Sequence, residues 1–218
     1  MTAILFDDPI LRIHLLPFTY TRPVGAIRVG ILTIAEKWEK WLNVPCVFRT
    51  AGYLEEKFPG ANDDPDTLLL NGAVCPDANL VGVIKTLPPR HFLVKGQLLI
   101  ASRNPQEDMN EGNTIQYNDD LVVIDRPWKI FQENGMQIRS DFSLMTAGRK
   151  SAELTDKHTV VYGAENLFVE EGVSTKAAII NAENGPVYLG RNSTLNEGAI
   201  VRGPFALGEE SHVNIGGK

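Results

Sequence analysis

The sequence predicts an α/β domain with a mainly parallel sheet and helices on both faces, followed by the first coils of a parallel β-helix. In residues 1–155, short apolar strands alternate with amphipathic helical segments, the order that gives parallel sheets. From residue 156 the helical periodicity ends and aliphatic residues recur every six positions. The hydrophobic fraction of 43% is typical of a globular protein. We therefore predict two domains, at residues 1–155 and 156–218.

The first domain is predicted element by element. Ala3–Phe6 is a short apolar strand, and residues 31–43, from a start near Gly30, carry apolar side chains at helical spacing. Further strands are predicted at 44–50, 68–70 and 122–124, a hairpin at 91–94 and 98–101, and helices at 53–58, 78–87 and from 126. The polar segments at 62–66 and 104–120 are predicted to be surface loops.

The second domain is predicted from aliphatic residues spaced six apart. They form an early run and a late run, separated by a four-residue insertion near residues 184–186: Val161, Leu167, Val173 and Ile179, then Leu189, Leu195, Val201, Leu207 and Val213. In a β-helix each hexad forms a short strand and a turn, three hexads form one coil, and the large aliphatic side chain points inward. The last hexad has no capping segment, so we expect a piece of a longer protein or an end covered by a partner.

Composition excludes several classes of protein. The formal net charge of −6 argues against non-specific binding of nucleic acid. A membrane-spanning helix needs a run of about 18 apolar residues, and the sequence contains none. Cys46 and Cys75 lack metal-ligand spacing, and two reduced thiols are favoured over one disulfide. We therefore expect a cytoplasmic protein without a nucleic-acid or membrane partner.

A polar loop after the first strand carries hydroxyl and guanidinium groups. The stretch LPFTYTRPVGAIR contains Thr19, Thr21 and Arg22, and Arg28 follows six residues later. Arginine binds phosphate oxygens through a planar fork of N–H donors, so one interpretation is an anion-binding loop. The other is an ordinary solvated connection whose arginines pair with surface carboxylates.

Three stretches of the chain resemble one enzyme family. They are LPFTYTRPVGAIRVGILTI, RPWKIFQENG and NGPVYLGRNSTLNEGAIVRGPFALGE. They resemble a divergent Bacteroidetes-type branch of the bifunctional N-acetylglucosamine-1-phosphate uridyltransferase/glucosamine-1-phosphate acetyltransferases. The resemblance implies a nucleotidyltransferase-like α/β domain before a left-handed parallel β-helix. It also implies a homotrimer assembled through that β-helix.

The resemblance assigns roles to residues of the first domain. In the family, a glycine-rich loop that ends in Thr-Arg binds the triphosphate together with a later lysine. Thr21-Arg22 matches the pair, Arg28 lies near the lysine position, and the glycine-rich element itself is missing. The resemblance implies that Arg22 and Arg28 act in catalysis. It implies nucleotide binding by six residues: Thr19, Thr21, Arg22, Arg28, Asn71 and Gly72.

The expected metal position departs from the family pattern. The family carries Gly-Asp after the third strand, where the carboxylate binds Mg²⁺. Here the matching stretch LLLNGAVCPD places Ala73 at that position. Asp77, four residues later, is the candidate metal ligand, and Asp7 is a second substitute. Mg²⁺ needs only one or two protein carboxylates, so the resemblance still implies a Mg²⁺ cofactor.

The function implied by the resemblance is nucleotidyl transfer. A nucleoside triphosphate and a sugar 1-phosphate would form a nucleotide sugar, UDP-N-acetylglucosamine, and release pyrophosphate. One alternative is an acyltransferase, similar to glucosamine-1-phosphate acetyltransferase, whose N-terminal domain only binds ligand; such a site would need further coils. The other is a non-catalytic trimeric assembly module. Ala73 favours the alternatives, and Thr21-Arg22 favours nucleotidyl transfer.

Overall fold

A computed structural model describes residues 2–60, 67–104 and 108–217 of the chain. The chain divides into two compact units. The α/β unit comprises the residues up to Arg28 together with Leu32–Gln132, and the stacked-strand unit comprises Val29–Ile31 and the residues from Glu133 onward. The loop predicted at 62–66 lies outside the described residues. The domain boundary predicted between residues 155 and 156 stays a prediction.

The α/β unit contains short strands and few helices. Its described strands are β1 Ala3–Phe6, β2 Cys46–Arg49, β3 Leu68–Asn71, β4 Val74–Cys75, β5 Phe92–Lys95, β6 Leu98–Arg103, β7 Thr114–Gln116 and β8 Val122–Val123. Its helices are α1 Pro9–His14, α2 Ile34–Leu42, α3 Ala78–Lys85 and the start of α4 Pro127–Thr146.

The main sheet is mixed and mainly parallel, which confirms the predicted sheet type. Its strand order is β2-β1-β3-β6-β5-β7. The pairs β1–β2, β1–β3 and β5–β7 are parallel, whereas β6 runs antiparallel to β3 and β5. Side chains of β1 and β3 are buried almost throughout, as expected for central strands of a sheet. The placement of helices on both faces stays a prediction.

Several predicted elements of the α/β unit need correction. Helix α1 was missed, and α2 begins at Ile34 rather than near Gly30, because Thr33 caps it in a capping box with Glu36. The segment predicted as a loop at 104–120 contains β7, which pairs with β5. Strand pairing is a long-range contact, so the polar composition of this segment did not reveal it.

The stacked-strand unit has three parallel sheets, which the chain visits in rotation. Its strands are β9 Val160–Tyr162, β10 Leu167–Val169, β11 Ser174–Thr175, β12 Ile179–Asn181, β13 Val187–Leu189, β14 Thr194–Leu195, β15 Ile200–Arg202, β16 Phe205–Leu207 and β17 His212–Val213. The sheets are β9-β12-β15, β10-β13-β16 and β11-β14-β17. This arrangement is compatible with a β-helix.

The late run of aliphatic residues forms the interior of this unit, as predicted. Leu189 and Leu195 are fully buried, and Leu189 pairs with Leu207 eighteen residues later, the length of three hexads. The early run is wrong in register. The partners of Leu189, Leu195 and Val201 in the preceding coil are Val169, Thr175 and Ile180.

The three outer faces of the stacked strands differ in their surroundings. Phe168 and Tyr188 lie on the face of β10-β13-β16 and pack against Ile138 of α4. By contrast, Val160 and Ile179 are 45% and 38% exposed, and Ile179 is in register with both Val160 and Ile200. The face of β9-β12-β15 is therefore apolar and exposed. No helix among the described residues is long and apolar enough to cross a membrane.

Candidate functional site

A loop at the carboxyl ends of β1 and β3 carries the predicted arginines. Gly72, directly after β3, donates its N–H to Phe6 O at 2.9 Å. A Cβ on Gly72 would lie 3.0 Å from Gly25 N, and a Cβ on Gly25 would lie 2.5 Å from Leu5 Cδ2. The loop is therefore seated directly on the strand ends, where only glycine permits such close approach. Carboxyl ends of parallel strands are the usual location of ligand sites in α/β sheets.

Thr21 and Arg22 lie at the exposed tip of this loop. They stand between two short 3-10 turns, Phe18–Tyr20 and Val24–Ala26. Among the residues that the structure describes, none forms a hydrogen bond or ion pair with the Arg22 side chain. Arg22 is thus an uncompensated cation beside the strand ends, and its five N–H donors are available to an anion.

Arg28 has a different environment from Arg22. Its Nη2 lies 3.5 Å from Glu36 Oε2, and the two side chains are 55% and 43% exposed. An ion pair this exposed contributes about 0–1 kcal/mol, so it does not prevent Arg28 from binding another anion. The predicted alternative, pairing with a surface carboxylate, therefore describes Arg28 but not Arg22.

The structure turns the Thr19 side chain inward, away from a ligand. Thr19 is fully buried, and its hydroxyl donates to Arg12 O at 2.7 Å. The hydroxyl contact with phosphate that was expected from the sequence is therefore not available in this arrangement. Thr21, two residues later, keeps an exposed side chain.

Asn71 also uses its side chain within the fold. Its Nδ2 donates to Leu99 O at 2.9 Å, and its Oδ1 accepts from Ala73 N at 3.0 Å. Because Asn71 is fully buried, the expected side-chain contact with a nucleotide is not available either. The neighbouring Gly72 is the predicted residue of this stretch whose backbone lies against the loop.

The carboxylates suggested for Mg²⁺ are engaged elsewhere. Asp77 caps α3, where its Oδ1 accepts from Leu80 N at 2.8 Å. Both oxygens of Asp7 accept hydrogen bonds, from Val24 N at 2.8 Å and from Arg12 and Thr50. Within the described ranges, no group of three His, Cys, Asp or Glu side chains is arranged to hold a metal ion. These residues do not fit a protein-held Mg²⁺ site.

A buried tyrosine lies close to Asp77. Burial raises the pKa of the Tyr117 hydroxyl, and the charges of Asp77, Asp119 and Asp120 raise that pKa further. The hydroxyl is buried and has no hydrogen-bond partner among the described residues. The surroundings of Asp77 are therefore acidic and favour a protonated Tyr117.

Sequence reasoning missed Arg12, the most extensively bonded side chain near this loop. Its guanidinium contacts Asp7, Thr50 and Tyr53 as well as the backbone of Thr19. A signal was present in the sequence, because Asp8-Pro9 is an N-cap followed by proline in the first helical turn. Recognition of that helix start would have placed Arg12 on α1, close to the end of β1.

Comparison with known proteins identifies the first two thirds of the chain. The family model described as sugar nucleotidyl transferase matches residues 3–150. The search of curated proteins finds no match to this chain. The matched range contains the six-stranded sheet, the loop with Arg22 and all the predicted nucleotide-binding residues. Since the family model covers more than half of the sequence, the chain belongs to the sugar nucleotidyl transferase family.

Proposed function

We propose that this protein joins a nucleoside triphosphate to a sugar 1-phosphate and releases pyrophosphate. The leading substrate pair is UTP and N-acetylglucosamine 1-phosphate, which gives UDP-N-acetylglucosamine. Membership of the family supports the reaction class. The observation that carries the proposal is Arg22, an exposed arginine without a partner among the described residues, held on a loop at the ends of β1 and β3.

The chemistry needs no nucleophilic side chain from the protein. A phosphate oxygen of the sugar 1-phosphate attacks the α-phosphorus of the triphosphate, and the bond from that phosphorus to the pyrophosphate oxygen breaks. Negative charge builds up on the departing pyrophosphate. Arg22 and Arg28 stabilise that charge, and the Thr21 hydroxyl and the Gly72 backbone help to bind the nucleotide. Thr19 and Asn71 shape the site from inside the fold.

Mg²⁺ is commonly used by sugar nucleotidyltransferases. The proposal places no Mg²⁺ on the described carboxylates, since Asp7 and Asp77 are engaged in hydrogen bonds. A location in the cytoplasm is part of the proposal, because Cys46 and Cys75 are both free thiols.

We further propose that residues 156–218 are the first coils of a left-handed β-helix that assembles a homotrimer, after a catalytic domain at 1–155. The supporting observation is the exposed apolar face of β9-β12-β15, which includes Val160, Ile179 and Ile200. An apolar patch on a regular sheet favours burial against another copy. Sedimentation of Ile179→Lys, expected to dissociate more readily than wild type, tests this assembly.

A second candidate function is a non-catalytic assembly module. Ala73 at the expected metal position and the engaged Asp7 favour this alternative. It differs from the leading proposal in one measurable respect, because it predicts no pyrophosphate release with any nucleotide and sugar phosphate.

The test is pyrophosphate release from UTP and N-acetylglucosamine 1-phosphate in the presence of Mg²⁺. We expect Arg22→Ala to lower kcat/KM by about a hundredfold, in the range for loss of one charged transition-state contact. Lys40→Ala, which removes an exposed cation at the end of α2, is the control and should act like wild type. No release by wild type across a panel of triphosphates and sugar phosphates would overturn the proposal.

A further inference from the structure

Arg12 forms the centre of a hydrogen-bonded cluster beneath the loop. Its Nη1 donates to Asp7 Oδ2 at 2.7 Å and to Thr50 Oγ1 at 3.4 Å. Its Nη2 donates to Thr19 O at 2.6 Å and to Tyr53 OH at 2.7 Å. We call Asp7, Arg12 and Thr50, with the Thr19 carbonyl, the Asp7–Arg12 clasp. It connects α1 to the residues that directly follow β1 and β2.

The buried carboxylate of Asp7 holds a second point of the loop. Its side chain is 4% exposed, and its Oδ1 accepts from Val24 N at 2.8 Å. Its Oδ2 accepts from Arg12 and from the Thr50 hydroxyl, the latter at 2.5 Å. Hydrogen bonds between charged, mostly buried partners are stronger than those between neutral groups. The clasp is therefore a rigid anchor rather than a surface ion pair.

The clasp holds the chain on both sides of Arg22. Thr19 O lies three residues before Arg22, and Val24 N lies two residues after it. We propose that Asp7 and Arg12 are positioning residues that hold the Arg22 tip for anion binding at the carboxyl ends of β1 and β3. This inference rests on the proposed nucleotide site and adds the element that orients it.

The geometry distinguishes Arg12 from a phosphate ligand. Each of its Nη nitrogens already donates to two acceptors, and its side chain is only 15% exposed. Its charge is compensated by Asp7 at 2.7 Å. Arg22 has the opposite properties, being exposed and unpaired among the described residues. Arg12 consequently acts through Arg22, whereas Arg22 contacts the anion.

Hydrogen exchange of the full chain tests the clasp without any ligand. Arg12→Lys keeps the charge but removes the fork, and Asp7→Asn removes the ion pair with little change of shape. We expect both variants to raise amide exchange in residues 17–27 by about tenfold or more, with β3, β5 and β6 unchanged, because local opening is set by local contacts. Arg139→Lys is the matched control, since Arg139 donates to the Asn184 carbonyl in the stacked-strand unit. Unchanged exchange in the loop, or a uniform rise throughout the α/β unit, would overturn the inference.

A double-mutant cycle on UTP affinity tests whether Arg12 acts through Arg22. We expect Arg12→Lys to weaken UTP binding about tenfold in the wild-type background and not at all in Arg22→Ala, as coupled residues behave. Equal weakening in both backgrounds would show that Arg12 acts independently and would overturn the inference. A wild-type protein that binds no UTP, with loop exchange still dependent on Arg12, would refute the proposed nucleotide site while confirming that the clasp holds the loop.

Discussion

The α/β unit and the stacked-strand unit specify their strands in different ways. In the α/β unit, β1 pairs with β2 and β3, whose residues lie more than forty positions further along the chain. In the stacked-strand unit, each strand pairs with one about twenty residues away, as Ile180 does with Val201. One unit therefore depends on individual long-range contacts, and the other on a repeated inward position. Four substitutions test this difference.

The largest effect is expected for a charge inside the stacked strands. Ile180 is fully buried, whereas the adjacent Ile179 is 38% exposed. A buried, unpaired carboxylate destabilises strongly, so Ile180→Asp should lower the free energy of unfolding by more than about 3 kcal/mol. Ile179→Asp should change it by less than about 1 kcal/mol. Urea unfolding followed by circular dichroism measures both, and equal losses would contradict the observed register.

A methyl group at the strand ends should destabilise the α/β unit less. Gly72→Ala places its Cβ 3.0 Å from Gly25 N and 3.2 Å from Phe6 O, so the backbone has to shift. We expect a loss of about 1–3 kcal/mol. Gly82→Ala in α3 is the control, because its Cβ meets no atom within 4 Å. That change should stabilise by about 0.5–1 kcal/mol, and thermal unfolding of both variants would reveal a wrong sign.

Removal of a helix cap should have a smaller effect on the same unit. The Thr33 hydroxyl accepts from Glu36 N at 3.2 Å, and Glu36 Oε2 accepts from Thr33 N at 2.6 Å. Thr33→Ala should lower the free energy of unfolding by about 1 kcal/mol, the usual value for a lost N-cap. Thr33→Ser keeps the hydroxyl and should remain close to wild type in chemical denaturation. Equal losses in both variants would point to the methyl group instead.

The smallest effect is a pH dependence in the stacked-strand unit. Arg149 donates two hydrogen bonds to Glu170 and lowers the pKa of this carboxyl below its usual 4.5. Because the folded pKa is the lower one, the stabilisation is complete above about pH 4.5 and is lost as the pH falls through the folded value. Arg149 is 45% exposed, so the contribution should be about 0.5–1 kcal/mol. Between pH 5 and about pH 3, the Tm of Glu170→Gln should fall less than that of wild type; parallel curves would contradict this assignment.

Sequence reasoning was most successful where a pattern is local. The hairpin around Gly96 and strand β1 were confirmed, because alternating or continuous apolar residues and a turn signal lie within one short segment. Strand β7 and the N-terminal helix were missed. Their stability comes from partners elsewhere in the chain, as β7 pairs with β5 and Asp8 caps α1.

The candidate site was only partly predictable for the same reason. The Thr21-Arg22 pair is visible as a motif, and both residues are exposed in the structure. Thr19 has a hydroxyl like Thr21, but it donates to Arg12 inside the fold. The sequence spacing of these threonines contains no information about which hydroxyl points outward, since Arg12 belongs to a helix that the pattern did not reveal.

By itself, the sequence determined the order of strands and helices, the mainly parallel sheet and the recurrence of inward aliphatic residues. These features follow from local preferences of side chains for water or for the interior. Tertiary structure decided which member of the Ile179–Ile180 pair lies inside, and which arginine is bound and which is free. Those choices depend on turn lengths and on partners distant in the chain, because burial and hydrogen bonding are settled only when separate segments meet.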